Sequence, residues 1–185
     1  MIEENIREAE TKMQKSIDAL GKEVLTIRTG RASTSLVDRI PVEYYGNPTP
    51  LNQLATITVP EARLILIQPW DRSVIGAVEK AIQKSELGLN PGNDGQLIRV
   101  PIPPLNEERR REYARLVKRY AEGAHIAIRN IRREQMDRIK NLEKEKQISA
   151  DEARRGGELM QKVADRYIAR VDEMAARKEA EIMEV

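Results

Sequence analysis

Apolar residues at the amino end of the chain recur every three or four positions, which is the spacing of one face of an α-helix. The stripe runs from Ile2 to Ile27 and is followed by Gly30. Glycine commonly ends helices because it adopts a left-handed backbone without strain. The pattern therefore predicts a first helix over residues 1–29 that is about 40 Å long and stops at Gly30.

The carboxyl half of the chain carries two more stripes with the same spacing. Asn106 can cap a second helix, whose apolar face runs from Tyr113 to about Glu145. The segment Ser-Ala-Asp-Glu at 149–152 has the form of a capping box and predicts the start of a third helix. Because so few residues join them, the second and third helices must form an antiparallel hairpin. We expect the first helix to fill the groove of that hairpin.

Between residues 30 and 105 the helical spacing disappears. All nine prolines lie in this region, together with short runs of β-branched residues. The predicted strands cover residues 40–45, 56–59, 64–67 and 97–100, with turns at 46–48 and 90–95. Ser73 can cap a helix that ends near Gly88. This mixture predicts a small α/β domain with a mixed sheet.

These elements together predict an α+β protein with two domains. Residues 1–29 and 106–185 form a long antiparallel three-helix bundle, and residues 30–105 form a small α/β domain inserted into it. The chain crosses between the domains twice, at 29–31 and at 103–105. Because there are two linkers and proline stiffens one of them, we expect a hinge of limited freedom.

Composition removes most catalytic chemistry from consideration. The chain has no cysteine and one histidine, His125, which excludes disulfides, thiolate metal sites and thiol nucleophiles. It has no phosphate-binding loop motif, and turn formation explains the loop at 93–95. We therefore expect no cofactor, no metal and no enzymatic activity. No apolar run could span a bilayer and the acidic amino end does not resemble a signal peptide, so we expect a cytoplasmic protein without membrane contact.

Positive charge is concentrated on the second predicted helix. Residues 107–147 contain 13 Lys and Arg against 8 Asp and Glu, whereas the whole chain carries a net charge of only +2. The surplus lies opposite the apolar stripe, and Arg132 lies at the border between the two faces. The cations of the charged face are Arg111, Arg115, Lys118, Arg119, Arg129, Arg133, Lys140 and Lys144. Because one sign of charge dominates this face, it gives up most of the i,i+4 ion pairs that stabilise helices. The planar guanidinium groups of its arginines match the geometry of phosphate oxygens.

Other interpretations of this face stay open on residue patterns alone. One alternative is an ordinary solvated helix surface. Another is a surface that pairs with an acidic helix of a protein partner, as in a structural adaptor. An enzyme built on the inserted domain is a third alternative, which the missing catalytic groups disfavour. Aromatic residues make up only 3% of the chain, so we expect no stacking platform and no base-specific readout of RNA.

Several short motifs occur in order along essentially the whole chain. They are IRTGRAS at 27–33, VEYYG at 42–46, PTPL at 48–51, DRS at 71–73, LGLNP at 87–91, RVP at 99–101 with PPL at 103–105, EERR at 107–110 and RNIRR at 129–133. In this combination the chain resembles the ribosome recycling factor family of bacteria and organelles. The resemblance implies an L-shaped molecule that acts with the GTPase elongation factor G and GTP. Family members split post-termination ribosomes into subunits and so release messenger RNA and deacylated tRNA.

The resemblance also implies roles for individual residues. Arg132 matches the family's best-known contact with ribosomal RNA. The residues expected to bind large-subunit rRNA are Arg110, Arg129, Arg132 and Arg133. The residues expected to form the hinge are Gly30, Arg31, Pro103 and Pro104. The implied partners are the 70S ribosome and elongation factor G, and the implied state is a cytoplasmic monomer.

Overall fold

The computed structural model describes residues 1–184, which divide into two compact units. The helical unit consists of Met1–Thr29 and Glu107–Glu184, and the inserted unit consists of Gly30–Asn106. The helices are α1 (Ile2–Leu25), α2 (Ile75–Lys84), α3 (Glu107–Lys144) and α4 (Ala150–Met183). The strands are β1 (Pro41–Tyr44), β2 (Asn47–Pro50), β3 (Ala55–Glu61), β4 (Leu64–Pro69), β5 (Gly92–Asn93) and β6 (Ile98–Pro101). The α+β fold class is confirmed. Within residues 1–184, none of the helices is long and apolar enough to cross a membrane.

The first helix is shorter than its apolar stripe. It ends at Leu25 rather than at Gly30, and just beyond it the Thr26 hydroxyl donates to the Glu23 carbonyl oxygen at 2.6 Å. Ile27 is nevertheless buried, with 4% of its surface exposed. Apolar spacing therefore continues past the last helical turn, which is why the sequence alone predicts too long a helix.

Helices α3 and α4 form the predicted hairpin, joined by residues 145–149. The capping box at the start of α4 is confirmed. The Ser149 hydroxyl oxygen accepts from the Glu152 N–H at 3.1 Å, and a Glu152 carboxylate oxygen accepts from the Ser149 N–H at 2.7 Å. These reciprocal bonds satisfy backbone donors that a helix start otherwise leaves without partners.

Helix α1 packs against both arms of the hairpin. It runs parallel to α4 and antiparallel to α3, as successive polar contacts along it establish. These contacts are Glu10 with Arg166, Gln14 with Arg170, Glu8 with Arg138, and Lys12 with Glu134. The three helices therefore enclose one core.

The core of the helical unit is built mostly from aliphatic side chains. On α3 it includes Val117 and Ala121, whereas Tyr113, at which the predicted apolar face begins, is only half-buried. At the other end of the bundle, Gly156 of α4 allows Ile2 of α1 to approach closely. A Cβ atom added at Gly156 would lie 2.8 Å from Ile2 Cδ1, closer than two carbon atoms can pack.

The inserted unit has antiparallel sheets where the sequence predicts a mixed one. Strands β1 and β2 form a two-stranded hairpin, and the second sheet has the order β3-β4-β6-β5. The first two residues of strand β2 fall in the turn expected at 46–48, and Pro48 and Pro50 hide the strand in the sequence. Both prolines are tolerated since each strand of a two-stranded ribbon has an unpaired edge. Strand β5 likewise lies within the turn predicted at 90–95.

A two-residue turn joins β1 to β2. Tyr45 and Gly46 have φ angles of 47° and 81°, both in the left-handed region. A turn of this kind matches the twist of the flanking strands. It therefore fixes the register of the hairpin, in which Tyr44 lies opposite Asn47.

The residue that caps the first turn leading into α2 is Asp71, not Ser73 as the sequence analysis predicts. Asp71 Oδ1 accepts from the Ser73 N–H at 2.9 Å and from the Ser73 hydroxyl at 2.7 Å. The hydroxyl bond, followed by the backbone bond, lowers the pKa of Asp71. Helix α2 then ends at Lys84, short of the predicted stop near Gly88.

The larger sheet has one covered face and one open face. Ile65 and Ile67 of β4 are fully buried and belong to the same core as Val78 of α2. Gln68 points to the opposite face and is exposed, as is Thr56, which lies opposite it on β3. The sheet therefore offers a surface that α2 does not occupy.

Candidate nucleic-acid interface

The exposed side of α3 carries a continuous band of positive charge. Its buried side is lined by Val117, Ala124 and Ile128, and the cations lie on the other side of the helix. All eight are exposed; they are Arg111, Arg115, Lys118, Arg119, Arg129, Arg133, Lys140 and Lys144. These eight residues are called the basic face below.

Most of the basic face is not neutralised by neighbouring carboxylates. Arg111 pairs with Glu107, and Arg129 Nη1 lies 3.6 Å from Glu122 Oε1. The other six cations make no ion pair or side-chain hydrogen bond within residues 1–184. Their charges are therefore available to an external partner.

The seam between α1 and α3 shows that this chain does pair its charges elsewhere. Lys12 Nζ lies 3.0 Å from Glu8 Oε1 and 3.1 Å from Glu134 Oε1, while Arg138 lies 2.6 Å from Glu8 and 3.0 Å from Glu134. The hydrogen bond from Lys12 is the largest cause that lowers the pKa of Glu8, and the same bond is the largest cause that raises the pKa of Lys12. The basic face differs from this seam, because six of its eight cations have no such partner within residues 1–184.

Arg132 lies beside the basic face, on the side of α3 that faces α4. It is half-buried, and its Nη1 donates to Gln161 Oε1 of α4 at 3.3 Å. Gln161 is in turn fixed by a bond from its Nε2 to Asp165 Oδ1 at 2.8 Å. Because the acceptor is a neutral amide, it orients the guanidinium without neutralising it.

The structure brings three of the four predicted RNA-binding arginines together and separates the fourth. Arg129, Arg132 and Arg133 share little more than one turn of α3. Arg110 lies about 33 Å from Arg132 along the helix axis, and it turns toward the buried side, where its Nε has no hydrogen-bond partner in the described chain. Any contact made by Arg110 therefore belongs to a different part of the surface.

Two of the predicted hinge residues, Gly30 and Pro104, lie close together in the inserted unit. Gly30 has a φ of +76°, and a Cβ atom added there would lie 3.4 Å from the Leu105 backbone nitrogen and 3.9 Å from Pro104 Cα. Pro103 and Arg31 are exposed. Two separate parts of the chain thus meet at Gly30, where a larger residue would strain the backbone and crowd the second segment.

His125 has structural partners. Its Nε2 lies 2.8 Å from Asp172 Oδ1 of α4, and its Nδ1 lies 3.6 Å from Glu122 Oε2. No hydroxyl nucleophile contacts the ring within residues 1–184. The same part of the chain contains no cluster of His, Asp and Glu that could hold a metal ion.

The sequence predicts no aromatic stacking platform, yet two aromatic rings of the inserted unit are exposed. Trp70 and Tyr45 of the inserted unit expose 66% and 77% of their surfaces. Aromatic content alone cannot reveal them, because a low count says nothing about where the few rings lie. The only signal available was the polar neighbourhood of Trp70, in the segment Asp-Arg-Ser that follows it.

Comparison with known proteins decides the family. The model of the family described as ribosome recycling factor matches residues 20–183. The chain belongs to the ribosome recycling factor family. Ribosome recycling factors are translation factors, so the expectation that the protein is not an enzyme is confirmed.

Curated ribosome recycling factors match the chain over nearly its full length. The factor from Bacillus licheniformis is 53% identical over 97% of both chains. The factor from Carboxydothermus hydrogenoformans is 52% identical over 100% of both chains. Identity this high over whole chains extends the family assignment to both units.

Two solved structures of ribosome recycling factors also match. A solution structure of a ribosome recycling factor is 46% identical, covers 100% of this chain and 98% of its own, and superimposes with a TM-score of 0.76. The second comes from models of the T. thermophilus ribosome recycling factor and the E. coli elongation factor G bound to the E. coli post-termination complex. It is also 46% identical over 100% of both chains, with a TM-score of 0.67. The fold and the family assignment therefore agree.

Proposed function

We propose that the chain splits post-termination ribosomes into subunits together with elongation factor G and GTP, and that it binds large-subunit rRNA through the basic face of α3. The relative bound to a post-termination complex with elongation factor G supports the choice of both partners. We also propose that the protein works as a monomer. We propose a cytoplasmic location, because the ribosome on which it acts is found there. Splitting would release messenger RNA and deacylated tRNA.

The observation that carries this proposal is the set of six unpaired cations on the basic face. A protein that neutralises phosphates releases the ions condensed on RNA, which favours binding at low salt. Ion pairs already formed within the protein would first have to break. A face that is charged, exposed and unpaired avoids that penalty, so it suits a phosphate backbone better than the α1–α3 seam does.

Arg132 is proposed as the anchor of the interface, with Arg129 and Arg133 beside it. Its bond to Gln161 limits the rotamers of the side chain while leaving further guanidinium N–H groups for phosphate oxygens. A pre-oriented arginine loses less conformational entropy on binding than a free one. Arg110 would bind at a separate point toward the start of α3.

The two chain segments that meet at Gly30 are proposed as the hinge. Elongation factor G would push on the inserted unit while α3 stays fixed on rRNA, and the linkers at Gly30, Arg31, Pro103 and Pro104 would carry that motion. The energy source then belongs to the partner, in agreement with the lack of a phosphate-binding loop motif in the sequence.

Light scattering of post-termination ribosomes tests the overall function. We expect scattering to fall, as subunits separate, only when the protein, elongation factor G and GTP are all present. If the protein and elongation factor G split ribosomes equally well without GTP, or if the protein has no effect, the proposed function is wrong.

Salt dependence tests the nature of the interface. Six phosphate contacts predict that the logarithm of the ribosome-binding constant falls with the logarithm of salt concentration with a slope of about −4 to −5. A slope near zero would argue against phosphate contacts. Preferential binding to an acidic protein helix over rRNA would favour the adaptor alternative.

Substitution of Arg132 tests the anchor. We expect Arg132→Ala to leave circular dichroism unchanged and to abolish splitting. The matched control is Arg177→Ala, which removes an exposed arginine of α4 that pairs with Glu173 within its own helix. Normal splitting by Arg132→Ala, or equal losses in both variants, would show that the anchor is misplaced.

Shortening the second linker tests the hinge. We expect deletion of Pro103 to impair splitting more than ribosome binding, because the basic face is untouched while the lever is altered. Binding is measured by cosedimentation with ribosomes and splitting by light scattering. Equal loss of both would argue against a lever.

A further inference from the structure

The open face of the larger sheet ends in an exposed indole. Trp70 follows directly after β4 and is the only tryptophan of the chain. Two-thirds of its surface, 66%, is exposed. A large, flat aromatic ring is therefore open to a partner that can stack on it.

Trp70 is exposed but held in place. Its indole N–H donates to Thr56 Oγ1 of β3 at 2.9 Å, and its backbone N–H donates to the Leu54 carbonyl oxygen at 3.1 Å. The second bond continues the β3–β4 ladder beyond the end of β4. The ring is therefore a fixed platform, and a partner stacking on it would lose little conformational entropy.

A cavity of about 360 Å³ opens beside the ring. It is lined by Thr56, Gln68, Pro69, Trp70, Arg72 and Gln96. The side chains of Gln68, Gln96 and Arg72 are exposed and make no hydrogen bond or ion pair within residues 1–184. Amide donors, amide acceptors and a positive charge thus surround one aromatic platform without being used by the fold.

We infer that this cavity binds one unpaired nucleotide of RNA. The base would stack on the Trp70 ring, the two glutamine amides would bond to its edge, and Arg72 would bind the adjoining phosphate. Sheets with exposed aromatic residues bind single-stranded RNA in this way, and glutamine amides can both donate to and accept from a base edge. The site lies outside α3, so the inference goes beyond the proposed function and does not depend on it.

A peptide is the main competing occupant, and the lining favours the nucleotide. Peptide grooves are mostly apolar, whereas four of the six lining residues here carry polar side chains. Arg72 would also lack a partner beside a neutral peptide. A flipped-out base with its phosphate satisfies the ring, the amides and the charge together.

The natural fluorescence of Trp70 provides a direct test with the full chain and without ribosomes. We expect a hexaribonucleotide of adenosine to quench this fluorescence saturably, because a stacked base quenches indole emission. An abasic ribose-phosphate hexamer of the same charge should bind at least about tenfold more weakly, since it offers no base to stack. A proline-rich peptide should cause no saturable quenching.

Variants that keep the tryptophan separate the site from general electrostatics. We expect Arg72→Ala and Gln96→Ala each to weaken binding at least threefold. Arg39→Ala, which removes an exposed arginine of the same unit outside the cavity lining, should leave it unchanged. Binding of all variants is followed by the anisotropy of a fluorescein-labelled hexamer, and their folding by circular dichroism.

The same anisotropy assay tests the ring itself. Trp70→Ala should lose at least about tenfold in affinity, whereas the Arg39→Ala control should bind normally, because Arg39 does not line the cavity. Equal binding of the abasic hexamer, equal losses in Arg72→Ala and Arg39→Ala, no saturable binding, or capture of the peptide instead would each overturn the inference.

Discussion

The two units of this protein use polar side chains in different ways. In the helical unit, arginines and lysines pair with carboxylates across helix seams, as Arg166 does with Glu10 at 2.6 Å. In the inserted unit, several polar side chains bond to nearby backbone. Asp94 Oδ1, for example, accepts from the Leu97 N–H at 2.8 Å and from the Gln96 N–H at 3.0 Å.

This difference indicates where binding surfaces are to be expected. Paired charges of the helical unit join two helices or two turns of one helix. Six cations of the basic face have no partner within residues 1–184, and we propose that these bind rRNA. In the inserted unit an exposed indole ring, two amides and a guanidinium surround one cavity. One unit therefore presents a surface suited to phosphates, and the other presents a surface suited to a base.

The largest change in the free energy of unfolding is expected when a buried residue of either core is truncated. Ile128 of α3 and Ile67 of β4 are both fully buried, each within the core of its own unit. Truncation of such a residue to alanine lowers the free energy of unfolding by about 2–5 kcal/mol. We expect Ile67→Ala to shift the unfolding transition of Trp70 fluorescence, and Ile128→Ala to shift that of helical circular dichroism.

Ile126→Ala is the matched control for this experiment. It removes the same atoms from the same helix as Ile128→Ala, but Ile126 is 49% exposed. We expect a change below about 0.5 kcal/mol. If Ile67→Ala and Ile128→Ala shift both probes equally, the two cores unfold as one and the comparison of separate units loses its thermodynamic basis.

The next effect tests close packing in the helical unit. Gly156→Ala would bring a methyl group 2.8 Å from Ile2 Cδ1, so either the side chain or the end of α1 must move. We expect a loss of about 1–3 kcal/mol in the free energy of unfolding, measured by urea denaturation.

Gly123→Ala provides the opposite control on α3. No atom lies within 4 Å of a Cβ added at Gly123, so only the gain in helix propensity remains. We expect a stabilisation of about 0.5–1 kcal/mol. Stabilisation by both alanines would mean that Ile2 does not pack against α4 as described.

The helical unit could be predicted well because each of its signals repeats. One misleading residue does not obscure a stripe of about ten apolar residues, so the predicted ends of α3 lie within one residue of the observed ends. Errors arose where a single residue decides, as at Thr26, which follows the last turn of α1 before Gly30 is reached. The capping box at Ser149 was predicted because both of its members are visible in the sequence.

The inserted unit was harder to predict because its strands are short and its bonds are local. Pro48 and Pro50 conceal β2, and Asp71 takes over the capping role expected of Ser73. The basic face could be predicted from the spacing of the charged residues alone, but which cations form ion pairs could not. Only the structure shows that Arg138 is used at a seam and Arg133 is not, since both are arginines on one helix.

A smaller effect concerns a polar group inside the helical core. Gln135 is fully buried, and neither its Oε1 nor its Nε2 has a hydrogen-bond partner in the described residues. Each buried polar group without a partner costs about 1–3 kcal/mol. We therefore expect Gln135→Met, which keeps the length and flexibility of the side chain, to raise the free energy of unfolding by about 1–2 kcal/mol.

Gln83→Met is the control for that substitution. Gln83 is exposed on α2, so the same chemical change there removes no buried polar group. Urea denaturation should show a gain only for Gln135→Met. No gain in either variant would mean that Gln135 is satisfied by water within the core.

The smallest effect is a dependence on pH that arises in the inserted unit. Bonds from Ser73 hold the pKa of Asp71 below its usual 3.8, so the folded state favours the ionised carboxylate. This contribution to stability is present above pH 3.8 and is lost as the pH falls through the lowered value. Asp71→Asn should therefore be less stable than the unsubstituted protein at pH 7, and the difference should shrink below about pH 3.8.

The midpoint of urea unfolding, followed by Trp70 fluorescence at pH 7 and pH 3, measures this difference. Glu86→Gln serves as the control, because Glu86 is an exposed carboxylate of the same unit that accepts no hydrogen bond within residues 1–184. Its substitution should change the midpoint little at either pH. Asp71 lies in the turn between Trp70 and Arg72. If the difference in unfolding midpoint does not depend on pH, Asp71 stabilises the protein through the shape of that turn and not through its charge.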